Sequence, residues 1–577
     1  MASKFVAFTS LGRRALPNQW DVIALSLIFG LFVLVVRGSH DMTVPLPSPD
    51  SAPVSLDYAL LPYYALRTTL RMFLALAASL AFTLTYATLA AKSRRAETVL
   101  IPLLDVLQSV PILGFLSFTV TFFLNLFPGS VLGAELAAIF AIFTSQAWNM
   151  AFSFYQSLRT VPGDLTEVCD GFRLSSWQRF WQLETPFALP ALIYNMMMSM
   201  SGGWFFVVAA EAITVGDTTI KLPGIGSYLA TAIDAKDIKA VLAAVAMVLV
   251  VILLYDQLMF RPIVTWAEKF KVELSASQST SKSWVLNLLA RTFWVRRAAA
   301  PLEAAFGWFT SLRLDLPRLG RRRDASPAVS RAVDVAWFVV IGLIAVYGAW
   351  HAILFIATTL SWGDVVEVIG LTLVTMLRVI VLLTLASLVW VPVAVWIGLR
   401  PAIAERVQPA AQFLAAFPAN VVFPIAVVGI LTFHLDPDIW LSFLIIFGTQ
   451  WYIVFNVIAG ASAFPNDLRE AASNFRITGW TWWFKVMIPG IFPYYVTGAL
   501  TASGGSWNAA IVAEYVKWGN DKVSATGIGA YIAQATEAGD FPKIVLGVAM
   551  MSVFVILYNR LLWRPLFGYA ERRLRLG

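Results

Sequence analysis

The sequence predicts an all-α integral membrane fold of about twelve transmembrane helices in two tandem six-helix repeats. Three observations lead there: an unusually apolar composition, apolar runs long enough to cross a bilayer, and matched residues recurring 303 positions apart. Of the 577 residues, 59% are hydrophobic and only 13% charged, against roughly 25% charged in an ordinary soluble domain, and the mean hydropathy is +0.74. The runs reach the roughly 20 residues a helix needs to span the hydrocarbon core; barrel strands would read as alternating segments of about 10.

Taken in order, the first repeat, residues 1–262, carries apolar runs near 21–37, 62–91, 98–127, 132–157, 187–214 and 239–260. The first run lacks a small-residue cleavage site and reads as a retained helix rather than a signal peptide. Residues 263–331 form a basic connector. Within it, Ser283 to Arg297 sets Trp284, Leu288, Phe293 and Trp294 among basic residues, the pattern of a helix lying in the headgroup plane, and the rest reads as a solvated tether. The second repeat, 332–577, has runs near 333–360, 367–397, 408–433, 437–460, 490–516 and 542–563.

Lys92, Arg94, Arg95, Arg400, Arg406, Arg572 and Arg573 fall on one side of this arrangement, which the positive-inside rule makes cytoplasmic, together with both termini. The expected location is the inner membrane of a bacterial cell. The net charge of +8 is accounted for by lipid headgroups and needs no nucleic-acid partner. Cys169 is the sole cysteine and there are three histidines, so no intramolecular disulfide forms and no metal ligand or catalytic residue is nominated.

The repeat is clearest in two stretches, "LTEVCDGFRLSSWQRFWQLETPF" from Leu165 and "LREAASNFRITGWTWWFKVMIPG" from Leu468. Glu167, Phe172, Arg173, Trp177 and Pro186 match Glu470, Phe475, Arg476, Trp480 and Pro489. Trp148 pairs with Trp451, Trp204 with Trp507, Glu211 with Glu514, and Gly224-Ile225-Gly226 with Gly527-Ile528-Gly529; upstream the offset becomes 307, pairing Arg71 with Arg378 and Pro111 with Pro418. An even number of spans separates matching points, so the halves have the same orientation about an axis along the membrane normal.

In the second stretch Leu468, Ala471, Ala472 and Phe475 share one helical face, as Leu165, Val168, Cys169 and Phe172 do in the first. Each is a short amphipathic helix, followed by a turn at Gly479 or Ser176 into a second helix. A narrow apolar ridge flanked by charge suits a groove on another protein.

Glu470-Ala471-Ala472, with Trp480 ten and Pro489 nineteen residues after the glutamate, resembles the coupling loop of permease subunits of ABC importers. "GIGSYLATA", "GIGAYIAQA" and "SGGSWNAAIVAEY" are most similar to the nitrate/sulfonate/bicarbonate/taurine branch. The resemblance implies a type I importer permease fold, duplicated in one chain. It also implies two ATP-binding subunits docked on Leu165, Glu167, Phe172, Arg173 and Trp177 and on Leu468, Glu470, Ala471, Ala472, Phe475, Arg476 and Trp480. An external substrate-binding protein and a small anionic substrate such as a sulfonate, nitrate or bicarbonate complete the expected system. Arg173 and Arg476 stand where that family usually has glycine, and the first copy reads Glu167-Val168-Cys169. No Gly-x-x-x-x-Gly-Lys-Ser/Thr phosphate loop occurs, so ATP and Mg²⁺ are expected on the partner subunits and no cofactor on this chain.

Arg71 and Arg378 lie inside apolar runs, where a charge is paired, wet or functional. Two roles stay open: the arginines line an anion route with Glu211 and Glu514 as gates, or each pairs with its glutamate to fix helix packing. Trp204 and Trp507 face either the cavity or the core. Pro111 and Pro418 are expected to kink the third helix of each repeat. A secondary transporter driven by an ion gradient shares the two-half architecture but gives no reason for paired coupling stretches. A membrane enzyme would need an acid–base or ligand cluster, and none is visible.

Overall fold

The structure is a computed structural model and describes residues 19–22, 24–26, 54–128, 130–215, 218–270, 283–314 and 327–573. The first repeat opens with helix α1 (Leu61–Lys92), started by Pro62 in its first turn. Ser93 ends α1 in an extended conformation, and its hydroxyl accepts from the Ala96 amide to start α2 (Arg94–Ser109), with Glu97 in the first turn complementing the helix dipole. Pro111 then prevents continuation, because the residue before a proline is driven out of the helical region; Val110 is extended and α3 (Ile112–Leu126) starts afresh. The long α4 (Val131–Arg159) and short α5 (Gly163–Gly171) follow, and a π turn at Phe180–Glu184 leads into α6 (Thr185–Glu211). An antiparallel hairpin, β1 (Ala212–Val215) with β2 (Thr218–Lys221), precedes α7 (Ile225–Asp234), α8 (Ile238–Tyr255) and α9 (Arg261–Ala267).

Two connector helices, α10 (Trp284–Arg291) and α11 (Trp294–Ser311), precede the second repeat. It runs α12 (Pro327–Ala357), α13 (Trp362–Gly398), α14 (Pro401–Ala416), α15 (Phe423–Thr432), α16 (Pro437–Phe447), α17 (Gln450–Ser462), α18 (Asn466–Asn474) and α19 (Ile488–Ala513). The hairpin β3 (Tyr515–Trp518) with β4 (Asp521–Ser524) and helices α20 (Ile528–Ala538), α21 (Phe541–Tyr558) and α22 (Arg564–Arg573) close the chain.

The chain is a helical membrane protein, and the described residues do not reach the expected count of about twelve spans. Among the described residues, seven helices are long and apolar enough to cross a membrane, or eight if α16 and α17, bent by 41°, form one span. The expected span 21–37 lies mostly outside the described residues. The runs 98–127 and 408–433 are broken at Pro111 and Pro418 into α2/α3 and α14/α15 rather than kinked. The two hairpins are a further departure from an all-α expectation. The connector also differs: α10 occupies the expected interfacial segment, and residues 294–311 form a helix, largely exposed, rather than an irregular tether.

The repeats interlock. Ile112, Leu113 and Leu116 of α3 share a buried cluster with Trp507, Ile511 and Ile528 of the second half. The Phe118 and Phe541 rings meet across the boundary at 5.4 Å, tilted by 48°, and Gly114 sits so close to Val548 that a Cβ would collide with that side chain. Trp204 and Trp507 are both buried core residues.

Candidate functional site

Helices α5 and α18 are built alike. Pro162 and Pro465 precede them and Asp164 and Asp467 occupy their first turns. Both end in a Schellman turn: Leu174 N donates to Cys169 O (3.1 Å) and Arg173 N to Asp170 O (3.1 Å), while Ile477 N donates to Ala472 O (2.9 Å) and Arg476 N to Ser473 O (3.0 Å). The turn needs a left-handed residue, and Arg173 (φ 52°) and Arg476 (φ 51°) adopt it. That requirement explains why glycine suits this place, since a Cβ costs about 1–2 kcal/mol there. Replacing both arginines by glycine is therefore expected to keep the fold and raise the local stability of each loop by about 1 kcal/mol. Hydrogen exchange of the α5 and α18 amides measures this, and faster exchange would contradict it.

The turn throws Phe172 and Phe475 outward, 77% and 79% exposed, while Cys169 and Ala472 face inward and are buried. The ridge predicted from periodicity is thus split. Its inner positions pack on the bundle, while Val168, Leu468 and the two phenylalanines stay available. Glu167 and Glu470 are also exposed, as are Arg173 and Arg476, and Leu165 and Ala471 are half-buried. Behind α18 lies a cleft of about 310 Å³ bounded by Leu468, Ala471, Phe475, Lys485 and Arg573.

At the opposite end of the helices the repeated charges meet. Arg71 Nη1 donates to Glu211 Oε1 (2.6 Å), and its Nε and Nη2 donate to the Glu135 carboxylate (2.5 and 2.8 Å). Arg67 Nη2 reaches Glu135 at 2.6 Å. Thr68 Oγ1 donates to Glu211 Oε1 (2.7 Å) and accepts from Ile225 N (2.9 Å), and Gly226 N donates to Glu211 Oε2 (2.7 Å). A Cβ on Gly224 would fall on the Glu211 carboxylate, so the Gly-Ile-Gly spacing lets the start of α7 close over it. The cluster joins α1, α4, α6 and α7 and is fully buried.

The second half repeats the plan with one cation fewer. Arg378 donates to Glu514 (2.6 Å) and Asp438 (3.2 Å), Thr375 bridges Glu514 (2.8 Å) and Ile528 N (3.0 Å), and Gly529 N caps Glu514 (2.8 Å). Val374 stands where the first half has Arg67. Asp438 is half exposed and accepts from Thr526 N (2.6 Å), so hydration and a backbone donor replace the second guanidinium.

Glu135, Asp438 and Arg67 were missed in the sequence, although Glu135 and Asp438 keep the 303-residue offset. Also missed were two asparagines at the seam between halves. Asn508 Oδ1 accepts from Ile112 N (2.9 Å), the amide freed by the break at Pro111. Asn420 Nδ2, just after Pro418, donates to Phe205 O of α6 (2.9 Å). Each broken run thus leans on the long helix of the other repeat.

Fold and site together define a duplicated helical membrane protein that presents two matching helix–turn–helix platforms at one end and two ion clasps, one fully buried and one partly open to solvent, towards the other. The chain belongs to the family of binding-protein-dependent transport system inner membrane components, whose pattern matches twice, at residues 65–261 and 379–564. It is 30% identical over 190 residues to the bicarbonate transport system permease protein CmpB of Synechocystis sp., covering 33% of this chain and 64% of that protein. It is 26% identical over 184 residues to the nitrate import permease protein NrtB of Leptolyngbya laminosa, covering 32% and 62%. It is 28% identical over 167 residues to the glycine betaine/carnitine transport permease protein GbuB of Listeria monocytogenes, covering 28% and 53%. The chain therefore spans less than two thirds of each of these relatives.

Proposed function

We propose that this chain forms the whole translocation pathway of an ATP-driven importer for a small anion, with α5 and α18 each seated on one separate ATP-binding subunit. The observation that carries this is the pair of matched platforms with outward phenylalanines: a lone membrane channel gains nothing from exposing Phe172 and Phe475 on polar-flanked helices, whereas an aromatic anchor entering a partner's groove is a usual source of interface energy. ATP and Mg²⁺ reside on those subunits, and an external binding protein delivers the substrate. Both termini and both platforms lie on the cytoplasmic side, towards which the basic loops point. Relatives named for bicarbonate and nitrate favour a small oxyanion.

In this reading the anion passes along the seam where α3 and α15 meet α19 and α6. The Arg71 and Arg378 clasps hold helices rather than touch cargo, because their guanidiniums already face carboxylates. The breaks at Pro111 and Pro418, tethered by Asn508 and Asn420, are the elements that part when the ATP-binding subunits move the platforms. The test is uptake of labelled bicarbonate, nitrate or a sulfonate into proteoliposomes holding the chain, its ATP-binding subunits and binding protein. Uptake should require ATP; uptake by the chain alone under an ion gradient would establish the rival secondary transporter.

A further inference from the structure

Where α1, α2 and α4 meet at the platform end of the first repeat lies a cavity of about 660 Å³, lined by Lys92, Arg94, Glu97, Ile101, Tyr155 and Arg159. Three cations face one carboxylate. That carboxylate is already engaged, since Glu97 Oε1 accepts from Tyr155 Oη (2.5 Å), and Arg159 reaches it only at 3.9 Å. Among the described residues nothing pairs with the Arg94 guanidinium. Arg94 also opens the first turn of α2, where the helix dipole opposes a cation and favours an anion.

The fold does not require this charge. At the matching corner of the second repeat, Leu399, Pro401 and Ala404 replace Lys92, Arg94 and Glu97 at the 307-residue offset, and Ile458 and Ser462 replace Tyr155 and Arg159 at 303. The helix ends there are drawn together: Ser462 Oγ donates to Gly398 O (3.1 Å), and a Cβ on Gly398 would collide with Ala461. One repeat therefore packs this corner with apolar and small residues, while the other keeps a cavity whose cations repel one another unless an anion enters.

The position in depth narrows the ligand. The span that includes α1 ends at Lys92, so the cavity lies at the level of the headgroups of one leaflet, with Ala91, Ile101 and Pro102 as its apolar wall. Basic pockets between helices at this level suit lipid headgroups, and a guanidinium offers a planar fork of donors matched to phosphate oxygens. We propose that this cavity binds a phosphate group, carried by an anionic phospholipid or free in solution, between Arg94 and Arg159 with Lys92 beside them. Lys92 also pairs with Glu184 (2.8 Å) and lies 5.1 Å from the centre of the Phe180 ring. Both residues belong to the π turn that follows the first platform, so the ligand sits one ion pair away from that platform and has no counterpart at the second.

The test uses the full-length chain in phosphatidylcholine nanodiscs with Thr98→Cys on the cavity wall; the native Cys169 is buried. Replacing part of the phosphatidylcholine by phosphatidylglycerol should slow maleimide labelling of Thr98→Cys at least about tenfold. Glu405→Cys, at the matching position of the second repeat, should be slowed far less. Arg94→Gln with Arg159→Gln, both at exposed positions, should remove the protection and leave the bundle folded. Protection by phosphatidylglycerol alone assigns the lipid as the source, and equal protection by inorganic phosphate added to phosphatidylcholine nanodiscs assigns the free anion; either supports the site. Labelling unchanged by both, equal slowing of Glu405→Cys, protection that survives the loss of Arg94 and Arg159, or protection that appears only with ATP-binding subunits would overturn the proposal. Labelling is read on the chain without those subunits, so its outcome is separate from that of the uptake test.

Discussion

Arg71→Ala is expected to abolish accumulation of a folded chain, whereas Arg378→Ala leaves a folded but less heat-stable one. Removing Arg71 leaves the buried Glu135 carboxylate with Arg67 alone and the buried Glu211 carboxylate with only the neutral donors Thr68 Oγ1 and Gly226 N. Breaking a buried ion pair from one side costs about 3–5 kcal/mol because the remaining charge is uncompensated, and that is a large part of a typical stability of about 5–15 kcal/mol. Arg378 is 10% exposed and one of its two partners, Asp438, is half in solvent, so water takes up part of the loss. The measurement is membrane abundance and the melting midpoint of the detergent-solubilised chain followed by size-exclusion profile. An Arg71→Ala chain that is abundant, monodisperse and as heat-stable as wild type, yet deficient in uptake, would restore the other role, direct contact with the anion.

Phe172→Ala combined with Phe475→Ala is expected to release the ATP-binding subunits while leaving the membrane bundle unchanged. Each ring is more than three quarters exposed, so its loss removes no core packing. At an interface, truncating a buried aromatic anchor costs about 2 kcal/mol or more, a factor of about 30 per site, and two sites act together because both subunits grip the same chain. Single variants should retain partial attachment. Glu470→Lys reverses a charge at an exposed site beside the same anchor and should uncouple hydrolysis from transport with the fold intact. Retention of subunits and substrate-stimulated hydrolysis in nanodiscs are the readouts; wild-type values in the double variant would end the proposed role of these helices.

Much of this was legible in the residues. Two copies at a fixed offset, the short helices at 165 and 468, and the Arg71–Glu211 and Arg378–Glu514 pairs all follow from patterns local enough to survive folding. Hydropathy could not show where a span breaks, because an apolar run stays apolar whether or not Pro111 or Pro418 interrupts its backbone. Glu135 lies inside a run whose hydrophobic neighbours mask it, and Asp438 stands beside Asp436 between two apolar runs, where an acid reads as an ordinary loop residue. The connector was illegible for a different reason: Phe306 and Phe309 contact each other on α11, but the rings they pack against, Trp177 and Trp181, lie over a hundred residues away in sequence. The hairpins at 212–221 and 515–524 are four-residue strands, too short to register as alternation.

The seam between halves has a consequence for dilution. Described polar bonds across it are few and single, such as Asn508 to Ile112 and Asn420 to Phe205, and the rest is greasy contact for which lipid tails compete. Two separate half-proteins held so sparsely would part as their surface density in the membrane fell. Covalent fusion fixes their mutual effective concentration at a value of millimolar order, independent of how many copies the cell makes. If the seam is the anion route proposed above, fusion lets it stay weak enough to open without the halves parting, and a cell making only a few copies still has every first half beside its own second half.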